Sequence, residues 1–261
     1  MATRIRDADS SVDVVIDSLV DVPAIGQTGG SIVGILGGMG PAATADFYAK
    51  LVRATPARTD QEHLRTLIWS DPTIPDRTGA LLHGGIDPTP LLLAGALLLR
   101  AGGAAVIAVP CNTAHAFIPR ITREVGVPFV HMIEETVLSI RSRFPDATRV
   151  GLLSTTGTQA SLLYDEALRR HGLEPLTPSA ETQETRVMPA IARVKAGIVD
   201  ARTTELIAEA ARELVSRGAE LVIAGCTELP IALDGVVLQV EVIDPTQVLA
   251  EAVVRVVRHG V

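Results

Sequence analysis

Two cysteines, Cys111 and Cys226, are the residues of this 261-residue chain whose type and setting point most directly to chemistry. Each follows an aliphatic run and precedes small polar residues, in Cys111-Asn112-Thr113 and Cys226-Thr227-Glu228. A thiol in the turn between a strand and a helix N-terminus has its thiolate stabilised by free backbone N–H groups and the local dipole. Taken singly, each cysteine also fits the role of a small buried hydrophobe. The arrangement occurs twice, however, at positions 111 and 226. Two such thiols on opposite walls of one cleft suit the inversion of a carbon centre. One removes a proton from one face of the carbon, the other delivers a proton to the opposite face, and the roles exchange in reverse. A disulfide is the competing use and needs Cα atoms about 4.4–6.8 Å apart; a substrate held between the sulfurs demands a wider gap. Neither cysteine sits in a C-x-x-C pair or a His/Cys cluster of zinc spacing, so no metal is expected.

Thiols in such turns must be positioned by strands, and the sequence supplies them. From Ile32 onward, short aliphatic runs alternate with amphipathic ones. The runs predict strands at Ile32–Leu36, Thr66–Trp69, Ala104–Val109, Phe129–Met132, Arg149–Leu153, Leu221–Ala224 and Val240–Ile243. Helices are predicted at Ala42–Ala54, Thr89–Ala101, Ile133–Arg143, Gln159–His171, Thr185–Ala196, Ala201–Arg217 and Thr246–Arg258. Continuous apolar strands separated by helices imply parallel sheets covered on both faces, with sites at the carboxyl ends of the strands.

The halves of the chain resemble each other. Gly34-Ile-Leu-Gly-Gly-Met-Gly40 is echoed by Gly151-Leu-Leu-Ser-Thr-Thr-Gly157, and the run from Arg100 to Cys111 by that from Arg217 to Cys226. The expected fold is therefore α/β: two similar doubly wound domains with parallel sheets, related by a pseudo-two-fold, with the active site in the cleft between them. Residues 31–133 would form the first domain, completed by 242–261, and residues 134–241 the second. Residues 1–30 read as an N-terminal extension. There Val12, Val15, Ile16 and Leu19 have helical spacing and Gly26-Gln-Thr-Gly-Gly30 supplies a joint, which fits either a loosely ordered tail or a docking arm.

Three segments, Gly37-Gly-Met-Gly-Pro41, Pro110-Cys-Asn-Thr-Ala-His115 and Gly225-Cys-Thr-Glu-Leu-Pro230, resemble signatures of the cofactor-independent aspartate/glutamate racemases, specifically the aspartate racemase branch. Asp60-Gln-Glu-His63, Ile74-Pro-Asp-Arg-Thr78, Thr155-Thr-Gly-Thr158 and Val194-Lys-Ala-Gly197 extend the resemblance from about Ile32 to Arg258. In the related cell-wall glutamate racemases the second cysteine motif usually reads Cys-Thr-His; here Glu228 takes the third place, which favours the aspartate branch. The resemblance implies an isomerase without cofactor, acting on an amino-acid dicarboxylate and homodimeric; a cytoplasmic location is expected by default, with no membrane span or signal peptide read in the sequence. Cys111 and Cys226 would be its acid/base thiols. Asn112, Thr113 and Thr227 would bind the substrate's α-carboxylate and amine, Thr155 and Thr156 would present turn N–H groups, and Met39 would sit in the matching turn of the first domain. Arg77 and Lys195 would hold carboxylates.

Each of these residues also has a plainer reading. Arg77 can pair with Asp76, Lys195 can serve a helix C-terminus before Gly197, and Met39 can combine pocket wall with packing. His115 and His131 read as structural histidines. Glu228 is equally a helix cap and a polariser of Cys226.

Composition sets the outer limits. Apolar residues at 47% and charged residues at 20% exclude wholesale disorder. With 23 basic and 30 acidic residues the net charge is −7, and no Lys/Arg run stands out, which argues against a nucleic-acid or anionic-membrane partner. No uninterrupted apolar stretch is long enough to span a membrane, and Asp13, Asp17 and Asp21 break the one N-terminal apolar run, so no signal peptide is expected and the thiols are expected reduced. Gly38-Met-Gly40-Pro-Ala-Ala43 matches a dinucleotide-binding pattern only formally, since no acidic residue follows a second strand at the required distance. Within the wider superfamily, decarboxylases that use one cysteine do not explain two, whereas a maleate cis-trans isomerase and a non-catalytic amino-acid-binding protein remain alternatives.

Overall fold

The computed structural model describes residues 30–233 and 238–259. The helical spacing between Val12 and Leu19 lies outside the described residues. Eight strands organise the rest: β1 (Ile32–Gly37), β2 (Arg65–Ser70), β3 (Ala104–Ala108), β4 (Phe129–Val130), β5 (Arg149–Ser154), β6 (Glu174–Leu176), β7 (Leu221–Gly225) and β8 (Glu241–Ile243). They form two parallel four-stranded sheets of matching topology, β2-β1-β3-β4 and β6-β5-β7-β8. The repeat seen in the sequence is thus a repeat of architecture. β1 and β5 begin at 32 and 149, and β3 and β7 at 104 and 221, so both pairs are offset by 117 residues.

The central strands are apolar throughout because both of their faces are covered. Val33 and Ile35 of β1, with Val106 and Ala108 of β3, pack into a core completed by Phe47, Leu51, Leu249 and Val253, whereas Leu36 and Ile107 point into the opposite core with Leu92 and Leu99. The second sheet alternates in the same way: Val150, Leu152, Leu221 and Ile223 face one core, Leu153, Val222 and Ala224 the other. The C-terminal helix Pro245–His259 follows β8 of the second sheet yet packs on helix Pro41–Ala54 of the first lobe, tying the lobes together through the end of the chain.

Several elements differ from the periodicity. β6 is absent from the expected strands: it has three residues, contains Pro175 and lies at a sheet edge, where proline's missing N–H costs no ladder bond. The single helix expected over Gln159–His171 is two, Thr156–Ala160 and Leu163–Arg170, broken at Leu162 with φ of 55°. The helix expected from Thr185 to Ala196 starts earlier, at Ala180, and contains a π-helical turn at Gln183–Val187.

The turn after β1 is the tightest point of the first lobe. Gly38 has φ of +95°, and a Cβ there would overlap the backbone of Asp71. Its N–H donates to Thr44 Oγ1 at 2.9 Å, and the Thr44 hydroxyl donates in turn to Gly40 O at 3.0 Å. Gly38→Ala should therefore strain the left-handed backbone and push the loop from β2, lowering stability by about 1–3 kcal/mol or more. A lowered urea midpoint at unchanged m-value checks this.

Candidate active site

Apart from Lys195, the candidate site residues singled out in the sequence follow the carboxyl ends of strands, where a parallel sheet opens its loops. Met39 follows β1, Arg77 begins the helix Arg77–Leu82 after β2, and Cys111, Asn112 and Thr113 follow β3. From the second lobe come Thr155 after β5, Lys195 at the end of helix Met188–Lys195, and Cys226, Thr227 and Glu228 after β7. Together with Asp76 and Thr78 these residues line one cavity, whose volume of about 10 Å³ is roughly the room of a single water. Thr156 is the exception: it starts the helix capped by Thr155 and does not line the cavity. The two cysteines are free, buried at 6% exposure each, and share this one space from opposite lobes.

Three hydroxyls close the lobes over the cavity. Thr113 Oγ1 lies 3.0 Å from Thr155 Oγ1 and 2.8 Å from Thr158 Oγ1, and the Thr155 and Thr158 hydroxyls are 3.0 Å apart. Beside them Tyr164 of the second lobe donates its phenolic proton to Asn112 Oδ1 of the first at 2.7 Å. Gly157 permits the approach: a Cβ there would come within 2.6 Å of Thr78 Oγ1. The lobes are thus in direct contact at this side of the cavity.

Two buried donors at the cavity have no protein partner among the described residues, Asn112 Nδ2 and Arg77 Nε. The Asn112 amide is oriented by the bond to Tyr164, which leaves its NH₂ for a ligand. Arg77 does not pair with Asp76, whose carboxylate instead caps the helix by accepting from Gly79 N at 2.6 Å. The terminal guanidinium nitrogens of Arg77 are spent on backbone carbonyls, those of Ile74 and Pro75 at 3.1 and 3.0 Å and that of Met39 at 3.3 Å. Arg77 thus braces two loops of the first lobe with three of its five N–H groups and keeps Nε–H and one Nη2 hydrogen for the cavity. Lys195 makes no hydrogen bond or ion pair among the described residues and keeps its charge for the site. A second cavity of about 180 Å³ shares Met39, Arg77, Lys195 and Glu228 with the first and is otherwise walled by residues such as Pro41, Ala42, Pro72 and Val194.

The thiols differ in their surroundings. Cys226 Sγ donates to Glu228 Oε2 at 2.9 Å, and Thr227 Oγ1 donates to the same oxygen at 3.3 Å. Burial, and then the Glu228 charge, push the Cys226 thiol well above the usual range, with Lys195 acting in the opposite sense. At rest this sulfur carries its proton. Among the described residues no carboxylate is bonded to Cys111; its loop is held instead by His115, whose Nδ1 lies 2.9 Å from Cys111 O while Nε2 accepts from Met132 N at 3.2 Å. Burial, then the neighbouring His131, hold His115 at about 3, so it stays neutral and braces the loop.

Sequence reasoning misses Asp76, Thr78, Thr158 and Tyr164 as site residues. The first three lie inside segments that carry the family resemblance, and the Asp76-to-Gly79 spacing is a legible helix cap. Tyr164 carries no signal, since its contact with Asn112 spans 52 residues and both lobes.

Comparison with known proteins bears on this geometry. The family model described as Asp/Glu/Hydantoin racemase matches residues 36–253. The chain is 29% identical over 227 residues to the broad specificity amino-acid racemase RacX of Bacillus subtilis (strain 168), covering 85% of this chain and 96% of that protein. Among solved structures it is similar to an aspartate racemase from Picrophilus torridus, at 31% identity and a TM-score of 0.76 over 87% of this chain and 93% of that one. An aspartate racemase homologue from Pyrococcus horikoshii OT3 aligns at 27% identity and a TM-score of 0.68, over 87% and 99% of the two chains.

The neutral His115 has a thermodynamic signature. The unfolded chain takes up a proton on this ring below about pH 6.5 whereas the folded chain resists until about 3, so stability falls as pH drops through that window. His115→Gln removes this effect, and stability should then depend less on pH between about 4 and 6, by roughly one proton or roughly 1.4 kcal/mol per pH unit. Urea denaturation at a series of pH values measures the difference in slope.

Proposed function

This chain belongs to the Asp/Glu/hydantoin racemase family, and from that premise we propose that it interconverts L- and D-aspartate, with glutamate as second substrate, by two-base proton transfer at Cα between Cys111 and Cys226. Membership makes it a racemase; the observation that supports this finer reading is the pair of thiols, carried by equivalent strand ends of two matching lobes, lining one cavity. A carbon held between them has one sulfur on each face. Inversion requires that: a single group would return the proton to the side it came from.

In the proposed reaction Cys226 starts as the acid, since burial and Glu228 keep it protonated, and Cys111 starts as the thiolate base. Cys111 takes the α-proton, Cys226 gives its own to the opposite face, and the enzyme is left with the proton on Cys111. In the reverse direction Cys226 is the base. From the resting form that requires Cys226 to pass its proton to Glu228, whose carboxylate already accepts from its Sγ, while Cys111 takes a proton from solvent; after turnover Cys226 is again protonated and Glu228 gives its proton up to solvent. Asn112 Nδ2 and the Thr113, Thr155 and Thr227 groups would receive the α-carboxylate and amine, and Lys195 with Arg77 Nε the side-chain carboxylate. The second cavity beyond them gives a longer side chain somewhere to go, which is why glutamate is included. No cofactor is needed, as each proton step runs on a thiol. Reduced thiols suit a cytoplasmic location, and no described helix is long and apolar enough to cross a membrane. The reading includes a homodimer and no nucleic-acid partner.

In deuterium oxide the enzyme should load deuterium at Cα of aspartate while optical rotation decays. Cys111→Ser and Cys226→Ser should each abolish racemisation with the circular dichroism of the fold unchanged. Full activity in either variant removes that thiol from the mechanism, and decay of rotation with no α-deuterium removes the proton-transfer chemistry altogether.

Glu228→Gln keeps the shape of the carboxylate but cannot take the proton. Because enantiomers are equal in free energy, kcat/KM must fall by the same factor in both directions, about 10²–10⁴ if Glu228 is the proton acceptor for Cys226. The distinguishing readout is the isotope effect with α-deuterated substrate, which should rise for the enantiomer that Cys226 deprotonates and stay as it was for the other. A variant with unaltered kcat/KM assigns Glu228 a purely structural place.

A further inference from the structure

Glu228 stands between two cavities. It lines the first with Cys226, and the second, of about 180 Å³, with Gly40, Pro41, Ala42 and Pro72, none of which borders the first. Its two carboxylate oxygens divide in the same way. Oε2 accepts from Cys226 Sγ at 2.9 Å. Oε1 accepts no hydrogen bond among the described residues and stands toward Gly40, where a Cβ would lie 3.4 Å from it. Glu228 is 3% exposed and Cys226 6%, so neither trades protons freely with bulk water. The second cavity is placed differently. Pro41, Ala42, Pro72 and Lys195 on its walls are all exposed, and it has room for several waters. One oxygen of Glu228 thus holds the thiol proton while the other faces a chamber that solvent reaches.

We propose that Glu228 carries protons between Cys226 and water in the second cavity, which makes that cavity the route by which the enzyme resets between turnovers. The inference rests on the two-thiol reading above. Once Cys226 has given its proton to the substrate, Cys111 holds a proton and Cys226 holds none. Another turnover in the same direction needs the opposite arrangement. Glu228 takes a proton from the second cavity on its outer oxygen, and a half-turn of the carboxyl brings that oxygen to Sγ. The proton passes to the Cys226 thiolate, while Cys111 releases its own to solvent. One proton enters and one leaves, so charge is conserved. Run backwards, the same steps take the proton off Cys226, as the reverse direction requires. Lys195 also borders both cavities, yet among the described residues the Sγ proton is bonded only to Glu228.

Aspartate concentration separates the reset from the chemistry. At low aspartate the rate follows kcat/KM, which binding and the α-proton steps determine. At high aspartate near equilibrium, product captures the enzyme before it has reset and net conversion slows, so the onset of slowing measures the reset. Ala42→Phe, on helix Pro41–Ala54, and Pro72→Phe, in the loop after β2, narrow the second cavity without altering a residue of the first. Each should move the onset to about tenfold lower aspartate, less than the factor of about 10²–10⁴ for losing an acid/base group, because the carboxylate is intact. Low-aspartate kcat/KM and the far-ultraviolet circular dichroism should match the wild-type chain. Where the wild-type chain shows no slowing, the variants should bring it into range. An onset that neither variant moves overturns the proposal. So does a fall in kcat/KM as large as the shift, which marks damage to the site itself. Failure of the wild-type chain to load α-deuterium strikes the two-thiol reading, whereas loading with an unmoved onset strikes only the route.

Discussion

The small cluster of hydroxyls that joins Thr113 to Thr155 and Thr158 holds the two lobes against each other at the cavity, and the chemistry of the site depends on that contact. Each lobe is a complete sheet with cores on both of its faces, so nothing inside either lobe fixes the angle between them. The hydroxyls contribute to it, with the Tyr164–Asn112 bond, the close seat of Gly157 against Thr78 and the C-terminal helix that packs on the first lobe. They are buried and therefore worth having only when paired. They are also neutral, so opening the cleft to water exposes groups that water satisfies. A contact of this kind can close firmly around a small polar ligand and still release it, which a cavity of about 10 Å³ requires of any substrate.

Within the closed cavity the cost of holding charge governs the chemistry. A thiolate beside a carboxylate in a space without solvent is penalised twice, by burial and by repulsion, and Cys226 accordingly holds its proton. Lys195, which is exposed and unpaired among the described residues, supplies part of the opposing field. An amino-acid dicarboxylate brings one ammonium and two carboxylates into this setting. Its cation would ease the Glu228 charge while its anions would take up Lys195 and the two orphaned donors, so in the proposed reaction the substrate completes the electrostatics that the protein leaves open.

Much of the fold is visible in the sequence because its cause is local. Strands buried on both faces must be aliphatic along their whole length, and runs such as Val150–Leu153 announce themselves; so does their recurrence in a second lobe. β6 is illegible for the opposite reason, being three residues at an edge with Pro175 inside it. Of the candidate site, the turns carrying Cys111 and Cys226 can be read because a thiol between a strand and a capping residue is a local pattern. What Arg77 does cannot. A guanidinium in a Pro-Asp-Arg-Thr loop looks available for anions, and only the folded chain shows its ends occupied by the carbonyls of Met39, Ile74 and Pro75. The bond from Tyr164 to Asn112 likewise exists only once two lobes have met.

Duplication explains the pairing of thiols, but the differences between the lobes carry as much meaning as the likeness. One cysteine loop is braced by a neutral histidine that never approaches the cavity, the other leans on an ionisable carboxylate inside it. Two acid/base groups of identical environment would hold their protons equally, and a cycle in which one begins protonated and the other does not would have to break that symmetry by chance at each turn. In the proposed cycle burial and Glu228 break it, since both favour the proton on Cys226 at rest. The same divergence marks the edges of the sheets, where one lobe shields its outer strand with Pro175 and Glu174 and the other leaves six residues bare. In both places the strand framework is repeated and the side chains set on it differ.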